Sequence, residues 1–399
     1  VLLLRLTAAR ARAEGEGDKR WRWADERQVG ATRERDVETV TVIGAGIVGL
    51  TAALALSEAG LAVRVVERGA VGREASWAGG GILCPLHPWR YPDAVQALAW
   101  RAAAAYPALT ERLAAATGID PEWTPSGLLI LDGDETAALA WARRWDQPAA
   151  TCAPAEVATL EPALAPADRP AVRLPAVAQV RNPRLLRALT QALEARGVAI
   201  HTRCPVQRLK VAAGRVVSLE TGAGVLATDG PVVVAAGAWS AALLEPLGAP
   251  LPVAPVKGQM LLFEAAPGLI RHVVLQADRY AVPRRDGRVL FGSTVEQAGF
   301  DTTPDAATRE QLQADAARLV PALAEARLAA HWAGLRPGSP EGIPVVARHP
   351  ALSNLWVNAG HFRNGVLLAL ATAELLADRL LDRVPALDPA PHDWPCADA

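Results

Sequence analysis

Three glycines spaced as Gly44-x-Gly46-x-x-Gly49, followed by an acid at Glu67, are the residues of this chain best suited to holding a dinucleotide. Gly44 makes a tight turn, Gly46 lets main chain approach a pyrophosphate, and Gly49 lets a helix pack closely on the strand before it. The helix that follows would offer unpaired N–H groups to phosphate oxygens. Glu67 would accept hydrogen bonds from the adenosine ribose. A tight turn without a ligand is the plain alternative. The elements around the motif decide between the two.

Thr39–Ile43 is a β-branched run and reads as a buried strand. Residues 50–59 have helical composition, Gly60 stands where a helix ends, and 61–66 reads as the next strand. This is the complete strand–turn–helix–strand context that the glycine motif requires. The following stretch is glycine-rich, with Gly79, Gly80 and Gly81 in succession, where main chain can come close to a ligand. Helices are predicted over 93–117, 134–145, 184–196 and 305–319, with prolines punctuating 148–183. Strands are predicted over 198–201, 231–235, 253–263, 273–282, 288–294 and 355–358, and a hairpin over 211–227. A loop at 360–364 leads into a long helix over 365–382. Residues 1–37 mix acids and bases without apolar periodicity and are expected to be a leader outside the fold. The proline-rich stretch 386–399 is expected to be a loosely held tail.

A formal net charge of −1 argues against nucleic acid or an anionic membrane as the main partner. No apolar run approaches the ~18–20 residues of a membrane span, so no stable membrane anchor is expected and the chain reads as cytoplasmic. Cys84, Cys152, Cys204 and Cys396 are scattered, without a Cys-x-x-Cys pair, and are expected to be free thiols; no metal site is expected.

The glycine motif alone does not choose between a nicotinamide and a flavin dinucleotide. A nicotinamide enzyme continues directly into a second βαβ half. Here a glycine-rich loop and helices follow instead, and the strand patterns of 253–294 interrupt the fold, which points to FAD. The expected fold class is α/β, in an α+β two-domain arrangement: a Rossmann-type FAD-binding domain with a discontinuous antiparallel-sheet substrate domain. The FAD-binding segments are 38–85, 180–245 and 325–385; the substrate-binding segments are 86–179 and 246–324.

Several further motifs carry a resemblance. Val42–Gly49, Ser76–Leu83, Gly237-Ala238-Trp239-Ser240, Lys257-Gly258-Gln259, Trp332–Pro337 and Gly360–Gly365 together resemble the D-amino acid oxidase superfamily of flavoproteins. Within it the chain is most similar to the branch that oxidises glycine in bacterial thiamine biosynthesis. The resemblance runs from about residue 40 to 381. It implies non-covalent FAD, held by Gly44, Gly46, Ile47, Val48, Gly49, Glu67, Arg68, Ser76, Gly80, Gly81, Ile82, Val206, Gly237, Trp239, Arg336, His361, Arg363, Asn364, Gly365 and Val366. It also implies that Arg336 pairs with a substrate carboxylate, that Tyr280 donates to the same group, and that Arg363 lies beside flavin and substrate.

The residue types suit those roles. A guanidinium offers two parallel N–H groups to a carboxylate, although an internal ion pair is the ordinary use of such an arginine. A helix beginning at Gly365 would offer its positive end to charge accumulating on a reduced flavin. The implied reaction transfers the α-hydrogen of glycine or another small amine to flavin, giving an imine, and O2 becomes H2O2. The imine would supply thiazole synthesis, with thiazole synthase as a candidate partner and a homo-oligomer left open. Such chemistry needs positioning more than a protein base, so His201, His331 and His361 are not assigned as bases. The alternatives are a D-amino acid or sarcosine oxidase or dehydrogenase, and a flavin-binding interaction protein without catalysis.

Overall fold

Valine and isoleucine runs with little polar interruption build the central strands. In the computed structural model, which describes residues 38–395, Thr39–Ile43 lies between Val232–Val234 and Ala62–Val66, parallel to both. The six-stranded sheet runs in the order Val345–Arg348, Leu355–Ala359, Val232–Val234, Thr39–Ile43, Ala62–Val66, Ala199–His201. Only the edge strand Val345–Arg348 is antiparallel to its neighbour. Such a sheet needs cover on both faces. The helices Ile47–Glu58, Asn182–Ala195 and Gly365–Leu380 supply it on one side. The Thr51 hydroxyl ties the first to the last through Ala369 O. On the other side Leu209, Val216 and Leu219 of a small three-stranded sheet pack on Val232 and Val234.

A second, eight-stranded sheet runs in the order Arg327–Gly338, Ala254–Glu264, Arg288–Gly292, Arg279–Pro283, Val273–Gln276, Leu128–Ile130, Ala171–Leu174, Ala150–Cys152. It is antiparallel except between Val273–Gln276 and Leu128–Ile130. Its register sets one row across four strands: Trp332 opposes Met260, Met260 opposes Gly292, and Gly292 opposes Tyr280.

Four expectations need correction. The stretch 273–282 is two strands, because the chain reverses at Ala277 (φ +50°), whose N–H donates to Asp132 Oδ2 at 2.7 Å. Arg327–Gly338, where the pattern predicts no strand, is a long strand hydrogen-bonded along Ala254–Glu264 in the eight-stranded sheet. The hairpin at 211–227 is a three-stranded meander that starts at Val206. The stretch after residue 385 is held rather than loose up to the last described residue. His392 is buried and donates through Nδ1 to Pro344 O at 3.0 Å, Asp393 pairs with Arg379, and Trp394 sits 5.0 Å from the His349 ring. Two aromatic anchors outweigh the proline-rich composition there. The leader expected at 1–37 lies outside the described residues.

Candidate active site

A cavity of about 420 Å³ opens where the carboxyl ends of four strands of the six-stranded sheet meet a face of the other sheet. Gly44, Glu67, Ala235 and Asn358 reach it from the first sheet. Gly258, Met260, Tyr280, Ser293 and Arg336 reach it from the second. This is where parallel α/β sheets bind ligands.

The glycine turn is shaped by close approach. Gly44 has φ +109°, and a Cβ there would lie 2.4 Å from Ala235 O. A Cβ at Gly49 would lie 1.9 Å from Gly44 O, so Gly49 packs helix on turn without lining the cavity. Ile47 N donates to Ser76 Oγ at 2.9 Å, which ties the helix start to the next loop. Glu67 is buried, and its carboxylate accepts from Ala45 N and Gly69 N, each at 2.8 Å. The Arg68 guanidinium lies 3.4 Å over the Trp239 ring, pairs with Glu74, and Trp239 stacks on Phe300. Val48, Val206 and Gly237 line the same cavity.

Gly80, Gly81 and Ile82 line it too, and their loop is held from outside. Asn182 Nδ2 donates to Ser76 O at 2.8 Å and Gly79 O at 3.0 Å. Arg284 is buried and donates to Gly80 O, Val180 O and Gln179 Oε1. Burial and the nearby Arg181 bring its pKa down to about 10, so it stays charged at neutral pH. Neither residue stood out in sequence, since each acts on a loop about 100 or 200 residues away.

Arg336 donates to Lys257 O at 3.3 Å, Thr294 O at 3.0 Å and Ser293 Oγ at 2.7 Å. None of these is a carboxylate, so the ion pair that is an arginine's ordinary use is not formed among the described residues. Burial pushes its pKa below the usual arginine value. The guanidinium fits because Gly258 has no side chain: a Cβ there would lie 2.2 Å from Nη1. The Tyr280 hydroxyl donates to Met260 Sδ at 3.4 Å. Arg363, Asn364, Gly365 and Val366 line the cavity where the helix Gly365–Leu380 begins. His361 lines the cavity with Nε2 sharing a hydrogen bond with Thr372 Oγ1 at 3.0 Å, and burial holds its pKa down to about 3. It is therefore neutral at working pH. Met260, Ser293 and Asn358 also line the cavity and were not singled out in sequence. Asn358 left one signal, a polar residue closing an apolar strand.

The chain matches the family model described as DAO, FAD dependent oxidoreductase, over residues 39–379. It belongs to that family. A glycine oxidase of Pseudomonas aeruginosa is 49% identical over 357 residues, which cover 89% of this chain and 98% of the relative. A bifunctional protein ThiO/ThiG of Trichormus variabilis is 33% identical across 86% of this chain and 53% of its own length. The crystal structure of glycine oxidase from Geobacillus kaustophilus superposes with a TM-score of 0.84 at 31% identity, covering 90% of this chain and 99% of that one.

FAD is the cofactor of a DAO-family chain, and the residues present here fit it. The glycine turn and helix start suit a pyrophosphate, and Glu67 suits a ribose. Buried polar atoms are normally paired. Here both side-chain ends of Asn358, Nε of Arg363 and Nδ2 of Asn364 are buried and have no hydrogen-bond partner among the described residues. All three residues line the cavity, where a polar ligand would satisfy them.

Proposed function

We propose that this chain is an FAD-dependent oxidase of glycine and other small primary or secondary amines, with Arg336 as the anchor for the substrate carboxylate. One observation carries the anchor: a half-buried guanidinium on the cavity wall whose hydrogen bonds go to two carbonyls and a hydroxyl. Burial makes such a cation costly, and an incoming carboxylate relieves it. Tyr280 lies on the same face and can turn its hydroxyl from a weak sulfur acceptor to that carboxylate. Arg363, also lining the cavity, adds positive potential to that of Arg336. When bound, FAD would supply the two-electron acceptor for the α-hydrogen, with O2 as the final acceptor and H2O2 as product. The protein's part is to orient the amine, exclude water and keep His361 neutral.

The imine product would supply the thiazole moiety of thiamine, with thiazole synthase as the receiving partner, in the cytoplasm. Support comes from the bifunctional ThiO/ThiG relatives. The deciding experiment adds glycine, sarcosine and D-alanine anaerobically to the holoenzyme and follows flavin absorbance, then measures peroxide under air. Glycine is expected to bleach the flavin and to yield stoichiometric peroxide. A preference for D-alanine or sarcosine would move the assignment to those oxidases. Bleaching without peroxide would make it a dehydrogenase, and no bleaching by any amine would make it a binding protein.

A further inference from the structure

We propose that Met260 is a modification site: hydrogen peroxide released by the enzyme's own turnover oxidises its thioether to the sulfoxide. The proposal rests on the oxidase reading above. Met260 is the only methionine of the chain. It sits in the row Trp332, Met260, Gly292, Tyr280, and directly opposed residues of antiparallel strands share a face. Met260 and Tyr280 both line the cavity, so that face is the one turned to the substrate. Gly292 leaves a gap in the row, and the sulfur fills it: a Cβ at 292 would lie 2.3 Å from Sδ. Across that gap the Tyr280 hydroxyl donates to Sδ. A methionine most often fills a core gap. This one brings its sulfur to the tyrosine that faces the substrate.

Access favours local oxidant over bulk oxidant. Met260 is 2% exposed and lines the cavity in which peroxide is made, so peroxide formed there meets it before bulk peroxide does. A thioether sulfur has two lone pairs; Tyr280 engages one, and the other attacks a peroxide oxygen. The O–O bond breaks, an S–O bond forms, sulfur loses two electrons and the peroxide gains them. The second oxygen leaves as water with both protons, so thioether plus H2O2 gives sulfoxide plus H2O. A sulfoxide oxygen is a far stronger acceptor than a thioether. It would hold the Tyr280 hydroxyl away from the substrate carboxylate, so turnover would slow the enzyme by raising KM.

The test runs the holoenzyme on glycine under air with catalase in the bulk, assays peroxide in parallel, and measures protein mass against turnover number. A second sample receives an equal total of added H2O2 without amine. Expected is a gain of about 16 Da that maps to the peptide holding Met260, survives catalase, and exceeds the added-peroxide sample several-fold. KM for glycine should rise as the modified fraction grows, and a Met260→Leu variant should keep its starting KM over the same turnovers. Peroxide production with Met260 unmodified, or modified no faster than by added H2O2, would overturn the proposal and leave the oxidase reading intact. Absence of peroxide would overturn both. The wild-type mass measurement stands alone if the leucine variant fails to fold.

Discussion

Arg336 owes its position to a residue with no side chain. Its guanidinium lies over Gly258, and its three partners are all on or beside the neighbouring strands. Replacing Gly258 by Ala must therefore displace the guanidinium rather than the backbone. A loss of kcat/KM for glycine of roughly 100-fold is expected, consistent with disturbing a half-buried charged hydrogen-bonded group. Flavin content should stay near normal, and steady-state kinetics on flavin-matched samples check both points. Arg336→Lys keeps the charge but loses the parallel fork; KM should rise about 10- to 100-fold, and Arg336→Met should lose more. If both variants bind glycine like the wild type in an anaerobic titration, Arg336 is not the carboxylate anchor.

The glycine loop that approaches the cavity is an element that does not hold itself. Asn182, at the start of the helix Asn182–Ala195, grips Ser76 O and Gly79 O, while Arg284 grips Gly80 O. Asn182→Ala removes two buried hydrogen bonds, worth about 1–3 kcal/mol together, and should weaken FAD binding by roughly 5- to 100-fold. Titration of apoprotein with FAD measures it; an unchanged dissociation constant would mean the loop is rigid without Asn182. These grips also mark the limit of what the sequence discloses. The turn at Gly44–Gly49 was legible because strand, glycines, helix and Glu67 lie within one short βαβ unit. Arg327–Gly338 was not, since its partner strand lies some 70 residues earlier and alanine, glycine and proline blur its alternation. The reversal at Ala277 lacks glycine or proline there, because Asp132 from a distant loop holds it. Asn358, Met260 and Ser293 became site residues only when two sheets met.

At the scale of the whole molecule, burial makes the protein sensitive to acid. His361 is held down to about pKa 3, and His87, His331, His349 and His392 are all lowered chiefly by burial. Below an unfolded-state pKa of about 6.5 the unfolded chain takes up protons that the folded chain refuses. Stability is thus full above that pH and is lost as pH falls toward the folded-state values. His361 alone should contribute on the order of 2 kcal/mol of loss between pH 7 and 5. Thermal melts of the apoprotein should show Tm falling over that range, with a shallower fall in His361→Gln. A flat Tm from pH 7 to 5 in the wild type would contradict the burial argument.

The stack of Arg68, Trp239 and Phe300 at the cavity rim has an optical consequence. Indole emission overlaps the near-ultraviolet absorption of a flavin, and Trp239 lines the same cavity as the glycine turn. Excitation of Trp239 should therefore pass to bound FAD by resonance transfer. Titrating apoprotein with FAD is expected to quench its fluorescence, and Trp239→Phe should remove far more of that quenching than one of twelve tryptophans would by number alone. An equal share for every indole would mean that the rim ring does not report on the ligand. Otherwise the protein carries its own gauge of cofactor loading.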